Sequence, residues 1–125
     1  MRRDAPSPLV PGQPFRVTSW NIQYAGSRRL HFFYDGGRAV SVPLPLVQET
    51  LAGIAAELGE ADIALVQEVD RGARRTAFVD ELEALSAGFP NWASATYHKS
   101  RFVPSPSWEP LGRVDLRLAI LPVSN

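Results

Sequence analysis

Two apolar segments on either side of one amphipathic helix constrain this chain more than any other feature. The first is "FRVTSWNIQY", Phe15 to Tyr24, and the second is "ADIALVQEV", read as a strand over 63–69. Between them, in "LVQETLAGIAAELGE", Leu46, Val47, Leu51, Ile54, Ala55 and Leu58 recur at helical spacing and predict one buried stripe. Pro43 and Pro45 suit the opening of that helix, and Gly59 suits its stop. Strand, helix, strand in that order predicts a right-handed crossover, which lays the two strands parallel in one sheet. The second segment is almost continuously apolar, as expected of a central strand covered on both faces.

The rest of the chain fills out an α/β reading. With 125 residues there is room for one small domain. Residues 1–14 carry four prolines and predict a flexible lead-in to a domain over 15–125. "DGG", Asp35 to Gly37, between "LHFFY" and "RAVSV" predicts a β-hairpin. "TAFVDELEALSAG" predicts a second helix, with Phe78, Val79, Leu82 and Leu85 inward and Gly88 as its cap. "WASATYHKS" and "LGRVDLRLAILPV" predict two further strands joined by a proline-rich loop. Trp20, Trp92 and Trp108 read as packing residues, and His31 as part of the hairpin.

Bulk properties exclude some chemistry. Thirteen basic and thirteen acidic residues cancel, so net charge points to no polyanionic partner, although local patches outweigh the sum. Without cysteine there are no disulfides or thiolate sites, and any metal must take oxygen or nitrogen ligands. No apolar run approaches the roughly 20 residues that span a bilayer, and the N-terminus has no apolar signal core. The expected location is cytoplasmic.

The polar residues that end the two apolar strands are the informative pair. Asn21 closes the first and Glu68 the second, and parallel strands would bring those ends side by side. A carboxylate and an amide oxygen there make a hard-oxygen site suited to Mg²⁺ or Mn²⁺. The alternative is a turn closed by Asn21 and a solvated strand end at Glu68.

The literal motifs "SWNIQY" and, about 45 residues on, "ADIALVQEVDR" resemble the endonuclease/exonuclease/phosphatase family, which includes pancreatic-type deoxyribonuclease. The resemblance runs from about Phe15 to Leu121. It implies a deoxyribonuclease-like α-β-β-α sandwich of four layers, of which this chain is the N-terminal half. It also implies a Mg²⁺- or Mn²⁺-dependent hydrolase of phosphoric esters, with nucleic acid, phospholipid or inositol phosphate as the substrate class. Glu68 takes the place of the family's metal-ligating glutamate. Asn21 takes that of the asparagine that orients near metal and phosphate. Gln67, on the other strand face, reads as structural.

Other site candidates come from "YHKSR" and "PLGR". His98 is the candidate for a catalytic role, and Tyr97 and Arg113 for contacts with a substrate phosphate; a solvated strand end is the alternative for all three. "DRGARR", Asp70 to Arg75, sets three arginines beside the expected metal end, as a phosphate contact or as a solvated loop.

The family pattern also breaks. The family's second half supplies a "GDFN"-like motif and a terminal "SDH" motif, and neither occurs here. Arg117 and Pro122 stand where the family's "GxAILS" has glycine and serine. The chain is therefore expected to be an incomplete domain, inactive alone, with a second chain able to complete the fold. The competing reading is a non-enzymatic α/β interaction module that pairs through its open sheet face.

Overall fold

The computed structural model of the protein describes residues 10–122. Most of the expected lead-in, and Val123 at the end of the last expected strand, lie outside the described residues. Residues 10–14 form a turn, in which the Gln13 amide donates to the Val10 carbonyl at 3.1 Å.

The chain is α/β. Strand β1 is Val17–Asn21, helix α1 is Leu44–Leu58 and strand β2 is Ile63–Asp70. Helix α2 is Glu81–Ser86, and strands β3 and β4 are Ala93–Val103 and Gly112–Pro122. The four strands form one mixed sheet in the order β1-β2-β4-β3. β1 and β2 are parallel, with Asn21 opposite Gln67, as the single crossover through α1 predicts. β4 runs antiparallel to both β2 and β3.

Helix α1 forms where the apolar stripe predicts it. Pro43 is the residue before its first turn and Pro45 lies within that turn, where a missing N–H costs nothing. Val47, Leu51, Ile54 and Leu58 are buried, and Leu46 and Ala55 pack partly against the same core. That core continues through Leu82 and Leu85 of α2, Ala64, Val66 and Val69 of β2, and Ala119 and Leu121 of β4. Both helices thus cover one sheet face, giving two layers.

The other face is nearly as apolar and has no layer over it among the described residues. Val17 is 49% exposed, Leu118 41% and Ile120 50%. Leu118 and Ile120 line up with Leu65, Ala93 and Ala95 across β2, β4 and β3, where a shallow apolar hollow of about 420 Å³ opens. The expectation that β2 is covered on both faces is therefore corrected. β2 is central in the sheet but buried on one side only, with Ile63, Leu65 and Gln67 of its other face partly exposed.

Two local expectations also change. The region around "DGG" is a compact loop with one 3-10 turn, Phe33–Asp35, and a single bridge between Phe32 and Ala39. It is not a ladder of paired strands. Gly36, at φ +83°, supplies the left-handed residue the turn needs. Helix α2 starts five residues later than the apolar pattern predicts. The Asp80 side chain accepts the Glu83 amide at 3.1 Å and caps the helix there. Phe78 consequently lies outside α2 and is 61% exposed, while Leu82 and Leu85 point inward as expected. The residue after α2 is Ala87, not Gly88.

Candidate functional site

The C-terminal ends of β1 and β2 open into a cleft of about 520 Å³ lined by Asn21, Gln23, Tyr24, Tyr34, Glu68 and Arg75. Asn21 and Glu68 are thus brought together, and two unusual stretches of backbone shape the walls around them.

The first is a β-bulge in β2. Val66 pairs with Ala119 and Val69 with Arg117, so Gln67 and Glu68 together oppose the single residue Leu118. The alternation shows why the bulge is needed. Ala64 and Val66 face the core, and Glu68 would be the next side chain inward on a regular strand. A carboxylate among Leu58, Leu82 and Val66 would carry a large desolvation cost. The extra residue puts Val69 there instead and turns Glu68 out into the cleft. Glu68 sits at φ +57°, in the left-handed region that costs an L-residue about 1–2 kcal/mol. Its carboxylate has no hydrogen-bond or ion-pair partner among the described residues. Gln67 ties β2 to β1 through its own carboxamide, which reaches Ser19 Oγ at 3.3 Å and the Leu65 carbonyl at 3.0 Å.

The second is the turn after β1. Gln23, Tyr24 and Ala25 all have positive φ, at 48°, 44° and 56°. Three successive left-handed residues without glycine are strained, and burial of Tyr24 and Ala25 offsets the cost. Asn21 helps to hold the turn, because its Oδ1 accepts the Gln23 amide at 3.1 Å. Gly26 closes the turn, and a Cβ there would come within 2.9 Å of the Phe32 and Tyr24 rings. The Tyr24 ring meets Phe32 edge-on, with centroids 5.7 Å apart, and its hydroxyl bonds to that of Tyr34. Burial, reinforced by that bond, pushes the Tyr24 phenol well above its ordinary range, so it stays neutral, and either hydroxyl of the pair can be the donor.

Beneath the cleft lies a buried charge cluster. Arg75 Nε and Nη2 donate to the two carboxylate oxygens of Asp70, each at 2.9 Å. Thr76 Oγ1 donates to Asp70 at 3.0 Å. Burial works against the Arg75 charge, but the fork to Asp70 outweighs it and holds the guanidinium above its usual pKa. Glu81, also fully buried, accepts the Asp70 amide at 3.0 Å. Burial first, and the Asp70 charge second, push the Glu81 carboxyl up to about 9, so it is protonated at neutral pH.

The other candidates lie apart from this cleft. Tyr97, 71% exposed, and His98 are on the edge strand β3. His98 pairs with Leu116, and Leu116 pairs in turn with Asp70, so His98 stands two strand spacings, about 10 Å, from β2. Arg113 donates Nε to the Gly72 carbonyl at 3.0 Å. None of the three lines the cleft. Trp20 packs against the core, whereas Trp92 and Trp108 are half-exposed with arginines, Arg71 and Arg38, over their rings. Gln23, Tyr24 and Tyr34 were not legible as site residues. Each reaches the cleft through loop geometry that leaves no periodic signal. The bulge at Glu68 did leave one, in the clash between its parity and that of Ala64 and Val66.

The donor set bears on a metal directly. No group of three or more His, Asp or Glu able to hold a metal ion occurs among the described residues. The cleft offers one unpartnered carboxylate and one amide oxygen with a spare lone pair. That fits a Mg²⁺ ion that keeps most of its water and takes further oxygens from a phosphate. It does not fit a Zn²⁺-type site, which needs three or four protein ligands. No helix among the described residues is long and apolar enough to cross a membrane. The chain matches no family model, and no curated protein or solved structure matches it.

Proposed function

We propose that the Asn21–Glu68 cleft is the metal end of a phosphoric ester hydrolase site of the endonuclease/exonuclease/phosphatase type. The observation that carries this reading is the bulge. It holds Glu68 in a strained conformation, without a partner among the described residues, beside Asn21 at the ends of two adjacent parallel strands. Strained backbone is concentrated at functional positions, and here it falls on a polar cleft residue, which supports the reading.

In this reading Glu68 and the spare lone pair of Asn21 Oδ1 hold Mg²⁺ or Mn²⁺, and the Asn21 N–H₂ donates to a phosphoryl oxygen. When bound, the cation supplies charge neutralisation on the phosphoryl and leaving oxygens during in-line attack by water. The bare apolar sheet face is then the surface on which a second sheet packs, as in a four-layer α-β-β-α sandwich. The cleft residues alone supply no carboxylate or imidazole, beyond Glu68, to activate that water. The 125-residue chain by itself is therefore expected to bind metal weakly and to turn over no substrate.

Mn²⁺ binding followed by electron paramagnetic resonance, together with hydrolysis of bis-p-nitrophenyl phosphate, tests the reading. Saturable Mn²⁺ binding that Glu68→Gln abolishes supports it. Absence of saturable binding to the folded chain, or binding that survives in Glu68→Gln, overturns it. Metal-dependent hydrolysis by the chain alone would overturn only the expected inactivity.

The exposed apolar face favours one second reading, an interaction module that pairs through that face with another chain. Sedimentation velocity distinguishes it. Concentration-dependent association lost in Leu118→Lys/Ile120→Lys, with no metal bound at Glu68, would replace the hydrolase reading.

A further inference from the structure

We propose that Arg75 is the oxyanion-binding side chain of the cleft and receives a tetrahedral phosphate group at its Nη1 edge. The proposal deepens the reading of the same cleft and rests on it for the place of the site.

The three arginines of "DRGARR" separate cleanly in space. Arg71 forks onto Asp80, with Nη2 at 2.8 Å, and its guanidinium lies over Trp92. Arg74 donates Nη1 to the Pro110 carbonyl at 2.8 Å. Only Arg75 lines the cleft with Asn21 and Glu68. Its Nε and Nη2 are taken by Asp70, and Nη1, with two N–H groups, has no partner among the described residues.

The guanidinium is held in two independent ways. The Asp70 fork fixes its in-plane orientation, and the Tyr24 ring backs it, with Arg75 Cζ 3.8 Å from the ring centroid. Asp70 is itself immobilised by Thr76 and is fully buried. A donor fixed before the ligand arrives loses little freedom on binding, and an arginine fork is well matched to phosphate oxygens. The strained turn at residues 23–25 acquires a purpose here, since it sets the Tyr24 ring under Arg75.

Charge determines when such a ligand binds. Asp70 balances Arg75, so the pair is neutral overall and attracts an anion through its N–H groups. Glu68 opens on the same cleft and repels that anion. Phosphate at Arg75 should therefore bind poorly while Glu68 is a bare carboxylate, and better once that charge is neutralised by a divalent cation or removed.

The experiment follows the arginine side-chain ¹⁵N–¹H resonances of the full chain during titration with inorganic phosphate, with and without Mg²⁺. The Arg75 signal should shift saturably, and Mg²⁺ should tighten binding several-fold. In Glu68→Gln, phosphate should bind tighter than to the wild type when no metal is added, and Mg²⁺ should add nothing. Arg75→Lys keeps the positive charge against Asp70, and in folded protein it should weaken phosphate binding about tenfold, because a lysine ammonium lacks the planar fork that grips both Asp70 oxygens and aims further N–H groups at the ligand. A folded Arg75→Lys that binds phosphate as tightly as wild type overturns the proposal. If that variant does not fold, the wild-type titration decides, and an Arg75 resonance unmoved by phosphate, with or without Mg²⁺, overturns it. Mg²⁺ binding with no phosphate response at Arg75 leaves the metal reading of Glu68 standing alone. A saturable Arg75 response indifferent to Mg²⁺ and to Glu68→Gln sinks the metal reading and leaves the oxyanion site.

Discussion

Glu68 and Glu81 approach the same end of β2 and have opposite fates. Glu68 belongs to the strand, is pushed out of the core by a bulge, and faces an open cleft with no partner among the described residues. Glu81 comes from α2 and is fully buried. Its Oε1 accepts the Asp70 amide, and its Oε2 has no hydrogen-bond partner among the described residues. The difference lies in how each carboxyl meets its charge. Glu81 gives its charge up and becomes a neutral acceptor inside the scaffold. Glu68 is offered no such partner, and the backbone takes on strain to keep it at the surface. The buried cluster of Asp70, Arg75, Thr76 and Glu81 therefore reads as support, and the cleft above it as the place where a ligand can act.

The largest effect should come from breaking the support. Arg75→Met leaves Asp70 charged, buried and unpaired, and urea unfolding should show a loss of about 3–5 kcal/mol. A loss below about 1 kcal/mol would mean that the cluster does not hold the cleft in shape.

Glu81 gives the next effect, read as a pH dependence. Its folded pKa of about 9 lies above the ordinary carboxyl value of 4.5. Between those two pH values the unfolded chain releases a proton that the folded chain keeps. The Glu81 contribution is therefore fully present at low pH, declines as pH rises through that window, and is lost by about pH 9. Asp70, Arg75 and Asp80 surround the group and shape the same titration. Glu81→Gln should flatten the stability profile across the window, as measured by thermal unfolding from pH 5 to pH 9. An unchanged slope would show that Glu81 is ionised in the folded protein.

Glu68 should behave in the opposite sense. Glycine accepts the left-handed backbone freely, so Glu68→Gly is expected to stabilise the fold by about 1 kcal/mol while removing metal binding. A destabilised Glu68→Gly would mean that the bulge is held by contacts of the side chain. The smallest effect is that of Glu68→Gln on stability, within about 0.5 kcal/mol of wild type, because the side chain packs against nothing it must keep. A larger loss in chemical denaturation would give Glu68 a structural role and blur its contrast with Glu81.

How much of this was legible in the sequence varies along the chain. The crossover was, because apolar residues at helical spacing between two apolar strands leave few other ways to bury them; α1 and β2 lie where that pattern predicts, whereas the first strand, expected over 15–24, is only Val17–Asn21 because the chain leaves it for the strained turn at 23–25. The proximity of Asn21 and Glu68 follows from the same crossover. The hairpin expected at "DGG" was not realised, since Phe32 and Tyr34 are drawn into the aromatic cluster with Tyr24. The late start of α2 was written in Asp80, a good N-cap, but the upstream apolar residues Phe78 and Val79 masked it.

Sequence by itself determined the α/β class, the parallel pairing of β1 with β2, and the polar residues at the ends of those strands. These depend on periodicity and chain order, which are local quantities. Tertiary structure decided which face of the sheet the helices cover, since β2 is apolar on both sides and either could have served. It also decided which arginine of three enters the cleft, and that Tyr24 and Tyr34 join it. Those outcomes depend on how loops far apart in the chain converge, and on where a buried charge such as Asp70 finds its one adequate partner.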